Sequence, residues 1–483
     1  MTTKNRRPSR ALRGIPGGHA AAAGLALLLA AGCAVKNPPD AAAINAEAKP
    51  SVAIPPAWTA AGGRPGAVSG NWLATFRDDQ LTAAVTEAIA NNADLRVAAT
   101  RVEQAMLYAR LAGARLYPSV DLLARGGGKL SGDSSGLKGA VLTASWELDL
   151  WGRVRSARAA AAADAASAAA DYEYARQSIA ALVAKSWFLA TEAALQAETA
   201  RATVREGEQL VQLAEDRTRI GVGDDEDVYV ARVNAGNSRD TVRELELAQQ
   251  QALRALELLI GRYPSASITV NPQLPGQPDA VPSGLPSELL ERRPDVIAAE
   301  RRIAAAFHRV GEAKAARLPT ISLTGGVSSI SSDLFFLKNH DNPIWNAGAS
   351  LLMPVFRGGA LKTQVEIRTA EQKQAVATYA AIGLRAFGEV ESALAAEIAA
   401  REREQNLAQA LADSRRAYEI VQTQFNVGRT DLRFVTQRQL ALNAAQSALL
   451  RTQSEQRVQR VNLHLALGGS FEMPPGGGQP PPR

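Results

Sequence analysis

Side chains able to do chemistry are few in this sequence of 483 residues, and their spacing argues against catalysis. The four histidines, His19, His308, His340 and His464, share no metal-ligand spacing with one another or with a cysteine, and they read as helix-surface or loop residues. Cys33 is the only cysteine, which excludes disulfides and any cysteine-based metal site. No serine elbow, phosphate-binding loop or dinucleotide fingerprint stands in a strand-to-helix context. Gly126-Gly127-Gly128 follows a strand that leads into a loop and lacks a Lys-Ser/Thr continuation. The sequence therefore offers no catalytic residue, no metal site and no bound cofactor. What remains is electrostatic: a run of acids at Asp224, Asp225, Glu226 and Asp227, and two cations at Arg429 and Arg433.

Two kinds of element must position these groups. From Ala140 to Leu150 the even positions (Ala140, Leu142, Ala144, Trp146, Leu148, Leu150) are apolar and the odd ones mostly polar, the pattern of a strand with one apolar face. Past Trp151-Gly152, about 66 residues from Arg153 to Ile220 contain no Pro and only Gly207. That predicts one helix about 100 Å long at a rise of about 1.5 Å per residue. A globular core has no use for such a helix. A tube does.

The chain opens with a basic stretch, Met1 to Arg13, followed by an apolar run from Ala20 to Ala31 that is too short to span a bilayer. Leu29-Ala30-Ala31-Gly32-Cys33 resembles the bacterial lipoprotein lipobox, with Ala30 where Leu is usual. The resemblance implies that residues 1–32 are a signal peptide and that Cys33 carries a diacylglycerol and an N-acyl chain such as palmitate. Ala34 after the Cys implies sorting to the outer membrane. The formal charge of +6 includes Lys4, Arg6, Arg7, Arg10 and Arg13, so the remainder is near neutral at +1 and a nucleic-acid partner loses its support.

Residues 33–71, rich in Pro, Gly and Ala, read as a tether and surface wrap. A first repeat spans 72–260, with helices over Asp78 to Asn91 and Asp94 to Leu116, capped between by Asn91 or Asn92. Its strands lie at about 119–126 and 138–150, and its hairpin tip at 221–227. A Pro-rich connection covers 261–290. A second repeat spans 291–468, with strands at about 319–328 and 343–355 and a tip at 427–433, before a flexible Pro/Gly-rich tail at 469–483. Matching landmarks recur at an offset of about 201 to 207 residues, which marks an internal duplication. Each long helix is matched in height by two shorter ones end to end, about 59 or 60 residues and about 90 Å. Four strands with one apolar face cannot close a barrel, and lipid tolerates no open edge. The chain must therefore oligomerise, and a trimer would give twelve strands over twelve helical columns. Trp146, Leu148, Trp345 and Leu351 would then face lipid, although in a soluble protein both tryptophans would be core.

Two long runs carry a resemblance. ERRPDVIAAERRIAAAFHRVGEAKAARLPTISLTG (Glu291 to Gly325) and SWELDLWGRVRSARAA (Ser145 to Ala160) resemble signature stretches of the TolC-type outer-membrane efflux proteins, in their lipoprotein (nodulation-type outer-membrane factor) branch. The resemblance covers about Trp72 to Gly468. It implies a mainly α fold, in which a homotrimer joins a twelve-stranded outer-membrane barrel to a long antiparallel α-helical tunnel. It also implies an exit duct for drugs or other small toxic compounds. The partners would be a periplasmic adaptor (membrane fusion) protein, an inner-membrane pump of the proton-driven resistance-nodulation-division type, and outer-membrane lipids. The family's Val-Gly tip pair is matched by Val222-Gly223 and Val427-Gly428, where adaptors would touch. Relatives often carry Asp six and nine positions after the second Gly, but here Phe434 and Gln437 stand there. The candidate gate therefore moves to Asp224, Asp225, Glu226 and Asp227 facing Arg429 and Arg433, with Gln437 near by. A solvated acidic helix start, favoured by the helix dipole, is the plainer alternative for that run. The alternative function is a periplasmic coiled-coil spacer or adaptor without a pore, which would leave the two apolar-faced hairpins unexplained.

Overall fold

The structure is a computed structural model and describes residues 36–48, 54–60, 66, 68, 70–125, 138–276, 279, 281–284, 286–331 and 344–472. The expected signal peptide, Cys33 and the loop over Gly126 to Gly136 lie outside the described residues. Helices α1 (Ala41–Ala48), α2 (Asp79–Asn91) and α3 (Ala93–Ala114) precede strands β1 (Ser119–Arg125) and β2 (Lys138–Leu148). Then come α4 (Arg153–Arg219), α5 (Asp225–Ile260), the short α6 (Leu289–Arg292) and α7 (Pro294–Ala315). Strands β3 (Thr320–Ser331) and β4 (Ile344–Leu352) lead to α8 (Ala360–Asn426) and α9 (Leu432–Ala466). The duplication shows in the lengths: α4 and α8 each have 67 residues, α3 and α7 each 22, and α5 and α9 have 36 and 35.

The chain divides into two compact units. One holds Ala105–Ala165 and Arg301–Val376 and contains an antiparallel sheet of order β1-β2-β3-β4, whose outer strands β1 and β4 leave two open edges. The register aligns the apolar positions across all four strands. Leu122 pairs with Leu142, Leu142 with Val327, and Val327 with Trp345; two steps on, Trp146 pairs with Leu323 and Leu323 with Ala349. Strand residues that share a face are two apart, so Trp146, Leu148, Trp345 and Leu351 lie on one side. Asp121, Thr143, Ser322, Thr324 and Ser350 lie on the other. Trp345 remains 77% exposed and Leu351 68%, so among the described residues much of the apolar face stays uncovered.

Strand ends differ from the sequence expectation for local reasons. Strand β2 stops at Leu148 rather than Leu150 because Asp149 turns to cap α4, accepting from the amides of Val154 and Arg155 at 2.9 Å each, while Gly152 takes φ 72. Strand β4 stops at Leu352, short of Val355, because Pro354 has no N–H to give the ladder. Strand β3 runs on to Ser331, three residues past the expected end. In this unit Trp151 also donates to the Pro319 carbonyl at 2.7 Å, and Arg309 pairs with Asp164.

The second unit comprises Asn45–Gln104, Ala166–Glu300 and the chain from Ala377 onward. Its core packs Trp72, Phe76, Leu81, Val85, Trp187, Phe188, Leu256 and Ile260 together. Asp78 serves that core twice, capping α2 through the Leu81 amide at 3.0 Å and accepting from the Trp187 indole at 3.1 Å. The cap at the start of α3 is Asn92, which accepts from Asp94 and Leu95 and donates to the Leu259 carbonyl. Segments on either side of the repeats are tied in as well. Tyr379 donates to Asn45 at 3.0 Å, and the amides of Thr59 and Ala60 donate to Glu391 at 2.8 and 2.7 Å. The tail is not free from residue 469: Phe471 is buried in the core, and Ser470 accepts from the Trp72 amide. The rest of it, beyond Glu472, lies outside the described residues.

Arg293, 2% exposed, joins the start of α7 to α8 and α9. It reaches Asp295 at 2.8 Å, Glu389 at 2.6 Å and the Ala466 carbonyl at 3.1 Å. Arg293→Ala removes these three contacts from a buried site and is expected to lower unfolding stability by about 3 kcal/mol in denaturant titration. Arg293→Lys should recover only part of the loss, because a single ammonium nitrogen cannot reproduce the planar fork whose separate nitrogens reach Asp295, Glu389 and the Ala466 carbonyl.

Candidate functional site

The two long hairpins turn at tips built to one plan. At the end of α4, Gly221 donates to Thr218 and Val222 to Arg217, both at 3.0 Å. At the end of α8, Gly428 donates to Phe425 at 3.0 Å and Arg429 to Gln424 at 2.9 Å. These are Schellman closures, each with a glycine in the left-handed region, at φ 82 for Gly221 and φ 74 for Gly428. The conformational partner of Gly428 is therefore Gly221, and Val427 matches Ile220. The sequence pairing of Val222-Gly223 with Val427-Gly428 is two residues out of step. Gly223 is needed for a different reason: a Cβ there would stand 2.8 Å from the Thr218 amide nitrogen. The same alignment makes Asp224 the counterpart of Asp431, and each is the N-cap of its returning helix. Asp224 accepts from the Glu226 amide at 3.1 Å, whereas Asp431 makes no side-chain cap bond.

Below the turns, Leu210, Ala214, Val228, Val421, Phe425, Leu432 and Val435 form a small core that locks the two hairpins together. Arg217 stands over it. Its guanidinium lies 4.7 Å from the centre of the Phe425 ring and donates to the Phe425 carbonyl at 3.1 Å. Arg217 thus ties the last turn of α4 to the last turn of α8, where a cation also suits the helix dipole. Farther along, the first hairpin is laced by Arg232–Glu215 at 2.7 Å and Arg239–Glu208 at 2.8 Å, the second by Arg403–Glu455 at 2.7 Å. Gln439 joins the two by donating to Glu206 at 2.9 Å.

Asp227, the last of the acidic run, lies close to a further acid, Asp431 of the second tip. Burial raises the pKa of Asp227, helped by Asp431, Asp224 and Glu226, while Arg217 pulls against them. Arg429 and Arg433 are exposed, and among the described residues neither forms an ion pair with Asp224, Asp225, Glu226 or Asp227. Gln437 is also exposed, as are Val222, Val427 and Phe434. Sequence reading missed Arg217, whose only local signal is a basic residue in a helix's last turn; its partner Phe425 is 208 residues away. It also misjudged His464, which is 1% exposed and stacks on Trp72 at 5.8 Å. Burial, assisted by Arg460, lowers its pKa to about 3, so it is a neutral core residue.

Because the folded tip raises Asp227's pKa, its contribution to tip stability is full in acid and is lost as the pH rises through that pKa. Asp227→Asn should abolish this loss. Amide protection factors over 221–228 and 427–433 are expected to fall between acid and neutral pH in the parent chain and to stay flat in the variant.

The chain is similar to known proteins over most of its length. The family model described as outer membrane efflux protein matches residues 84–262 and 285–469. The chain is 30% identical over 408 residues to the cation efflux system protein CusC of Escherichia coli, covering 83% of this chain and 88% of that protein. It is 32% identical over 435 residues to the pyoverdine export outer membrane protein OpmQ of Pseudomonas putida, with the same coverage of 83% and 88%. Among solved structures, the open state of the Neisseria gonorrhoeae MtrE outer membrane channel superposes with a TM-score of 0.76 at 25% identity, covering 91% of this chain and 98% of that one.

Proposed function

This chain belongs to the outer membrane efflux protein family and serves as an outer-membrane efflux channel; on that premise we propose how its residues divide the work. Three copies close into one duct, each adding its four strands to a common barrel through its open β1 and β4 edges. The observation that carries this is the shared apolar face. Trp146, Leu148, Trp345 and Leu351 meet lipid on one side, while the hydroxyl-rich side lines the passage. The helical hairpins extend the duct into the periplasm, where an adaptor contacts the exposed tips around Val222, Gly223, Val427 and Gly428. An inner-membrane pump, of the resistance-nodulation-division type, drives transport, and the duct itself performs no catalytic step. Cys33 carries the acyl anchor. The spacer reading fails, because it gives the lipid-facing sheet no role and the family is one of efflux channels.

Relatives named for cation efflux and for pyoverdine export carry chemically unlike cargo, which supports a duct that leaves selection to its pump. Control then lies at the tip. Arg217 on Phe425 holds the two hairpins of one copy closed, and Arg429 and Arg433 are free to meet acids of a neighbouring copy or of the adaptor. Phe434 and Gln437, in place of tip aspartates, leave the acidic run Asp224 to Asp227 as the main negative charge there.

Single-channel recording in planar bilayers tests this. Arg217→Ala is expected to raise open probability several-fold with no change in full-open conductance, because it removes the latch and leaves the barrel alone. Equal open probability in both proteins would remove Arg217 from the gate. Replacing Asp224, Asp225, Glu226 and Asp227 by their amides is expected to shift open probability as well, and no shift would reduce that run to a solvated helix start.

A further inference from the structure

The four helix–strand junctions of the sheet-bearing unit share a feature that conduction does not use. Each carries arginine: Arg115 between α3 and β1, Arg153 and Arg155 at the start of α4, Arg317 between α7 and β3, and Arg357 between β4 and α8. At the second junction the charge is neutralised, since Arg153 pairs with Glu147 at 2.6 Å and Arg155 with Asp149 at 3.1 Å. Arg115, Arg317 and Arg357 are exposed and form no ion pair among the described residues. Apolar side chains stand exposed beside them. Tyr117 is 73% exposed, Val355 89% and Phe356 88%. Trp146, on the apolar face of the sheet, donates its indole N–H to the Leu116 carbonyl at 3.0 Å. This bond places the α3–β1 junction at the margin of the lipid-facing surface. A cavity of about 520 Å³ opens at the same junction, lined among others by Arg110, Gly113, Tyr117 and Arg158. Neither Arg110 nor Arg158 has an ion-pair partner among the described residues.

We propose that these junctions form a belt that binds the phosphate headgroups of anionic phospholipids, with Arg115, Arg317 and Arg357 as its cations and the cavity beside Tyr117 as a headgroup seat. The proposal rests on the reading of the sheet as lipid-facing. Charge complementarity is one argument: uncompensated guanidinium groups recur at three of the four junctions, where they can grip phosphate oxygens in pairs. Continuity is the other. The belt borders the apolar face directly, so a molecule held there by its phosphate has somewhere apolar to lay its chains, and aromatic rings such as Tyr117 and Phe356 suit that boundary. Free phosphate has no use for the apolar margin. A basic residue at an anionic membrane surface favours binding by roughly fivefold.

The test uses the full-length trimer in nanodiscs made of equal parts phosphatidylglycerol and phosphatidylcholine, with native mass spectrometry reporting which lipid stays bound. The parent protein is expected to retain phosphatidylglycerol at least fivefold over phosphatidylcholine. The triple variant Arg115→Gln, Arg317→Gln, Arg357→Gln should fall to near parity, while the corresponding lysine variant keeps most of the preference. Parity in the parent protein, or an undiminished preference in the glutamine variant, would overturn the belt. Inorganic phosphate that displaces the lipid at matched ionic strength would show a free-anion site and overturn the lipid assignment. Should the glutamine variant not assemble, the parent protein decides: a preference insensitive to rising salt would contradict an arginine–phosphate origin. A parent protein that does not enter the bilayer at all would overturn the duct reading, and the belt with it, whereas normal insertion and conductance without lipid preference defeats the belt alone.

Discussion

Backbone amides and carbonyls in hydrocarbon have no water to turn to, so a strand edge left open in lipid costs several kcal/mol for each unsatisfied group. The sheet of this chain meets that constraint in an acute form. It has an apolar face fit for lipid, a polar face fit for water, and β1 and β4 each with an unpaired side. One copy cannot satisfy both its faces and its edges. Closure with further copies does, and it gives every other feature a place. The polar face becomes a bore, the apolar face an outer surface, and the long helices that leave the strands become columns. Even the capping of α4 by Asp149 follows, since the strand must end cleanly before the helix begins.

The tips answer a second constraint, that a long helical hairpin must end without stranding its carbonyls. Both do so by the same closure with a left-handed glycine, and both restart on an aspartate cap. What distinguishes them is charge. The first restart adds Asp225, Glu226 and Asp227 to its cap, and the second offers only Asp431. The folded tip brings Asp227 near Asp431, and Arg217 offsets the repulsion on Asp227. A joint held by a small apolar core and one cation over one aromatic ring, with acids close together beside it, is suited to change state. A larger apolar core would not be.

Much of this was legible in the sequence, for physical reasons. Strand faces have a period of two, so the alternation around Trp146 and Trp345 named the apolar face before any register was known. The absence of proline across some 66 residues fixed the long helix, and the landmarks of the first half returned in the second. Less legible were features that depend on distant partners or on backbone angles. Glycines stand at both 221 and 223, one for its φ and one for lack of room, and composition cannot tell these apart. Arg217 meets Phe425 only when two hairpins pack. His464 looked like an exposed polar residue until Trp72 was laid against it, and Phe471 looked like part of a loose tail until the core took it in.

Closing both sheet edges of every copy takes a ring of copies, and the twelve-stranded barrel takes three. The mass of the detergent-extracted protein, by native mass spectrometry or light scattering, tests it most directly. A particle of three chains is the predicted result and accounts for every open edge. A stable single chain that keeps its strands in a lipid environment would leave β1 and β4 unpaired, and would contradict the account at its base.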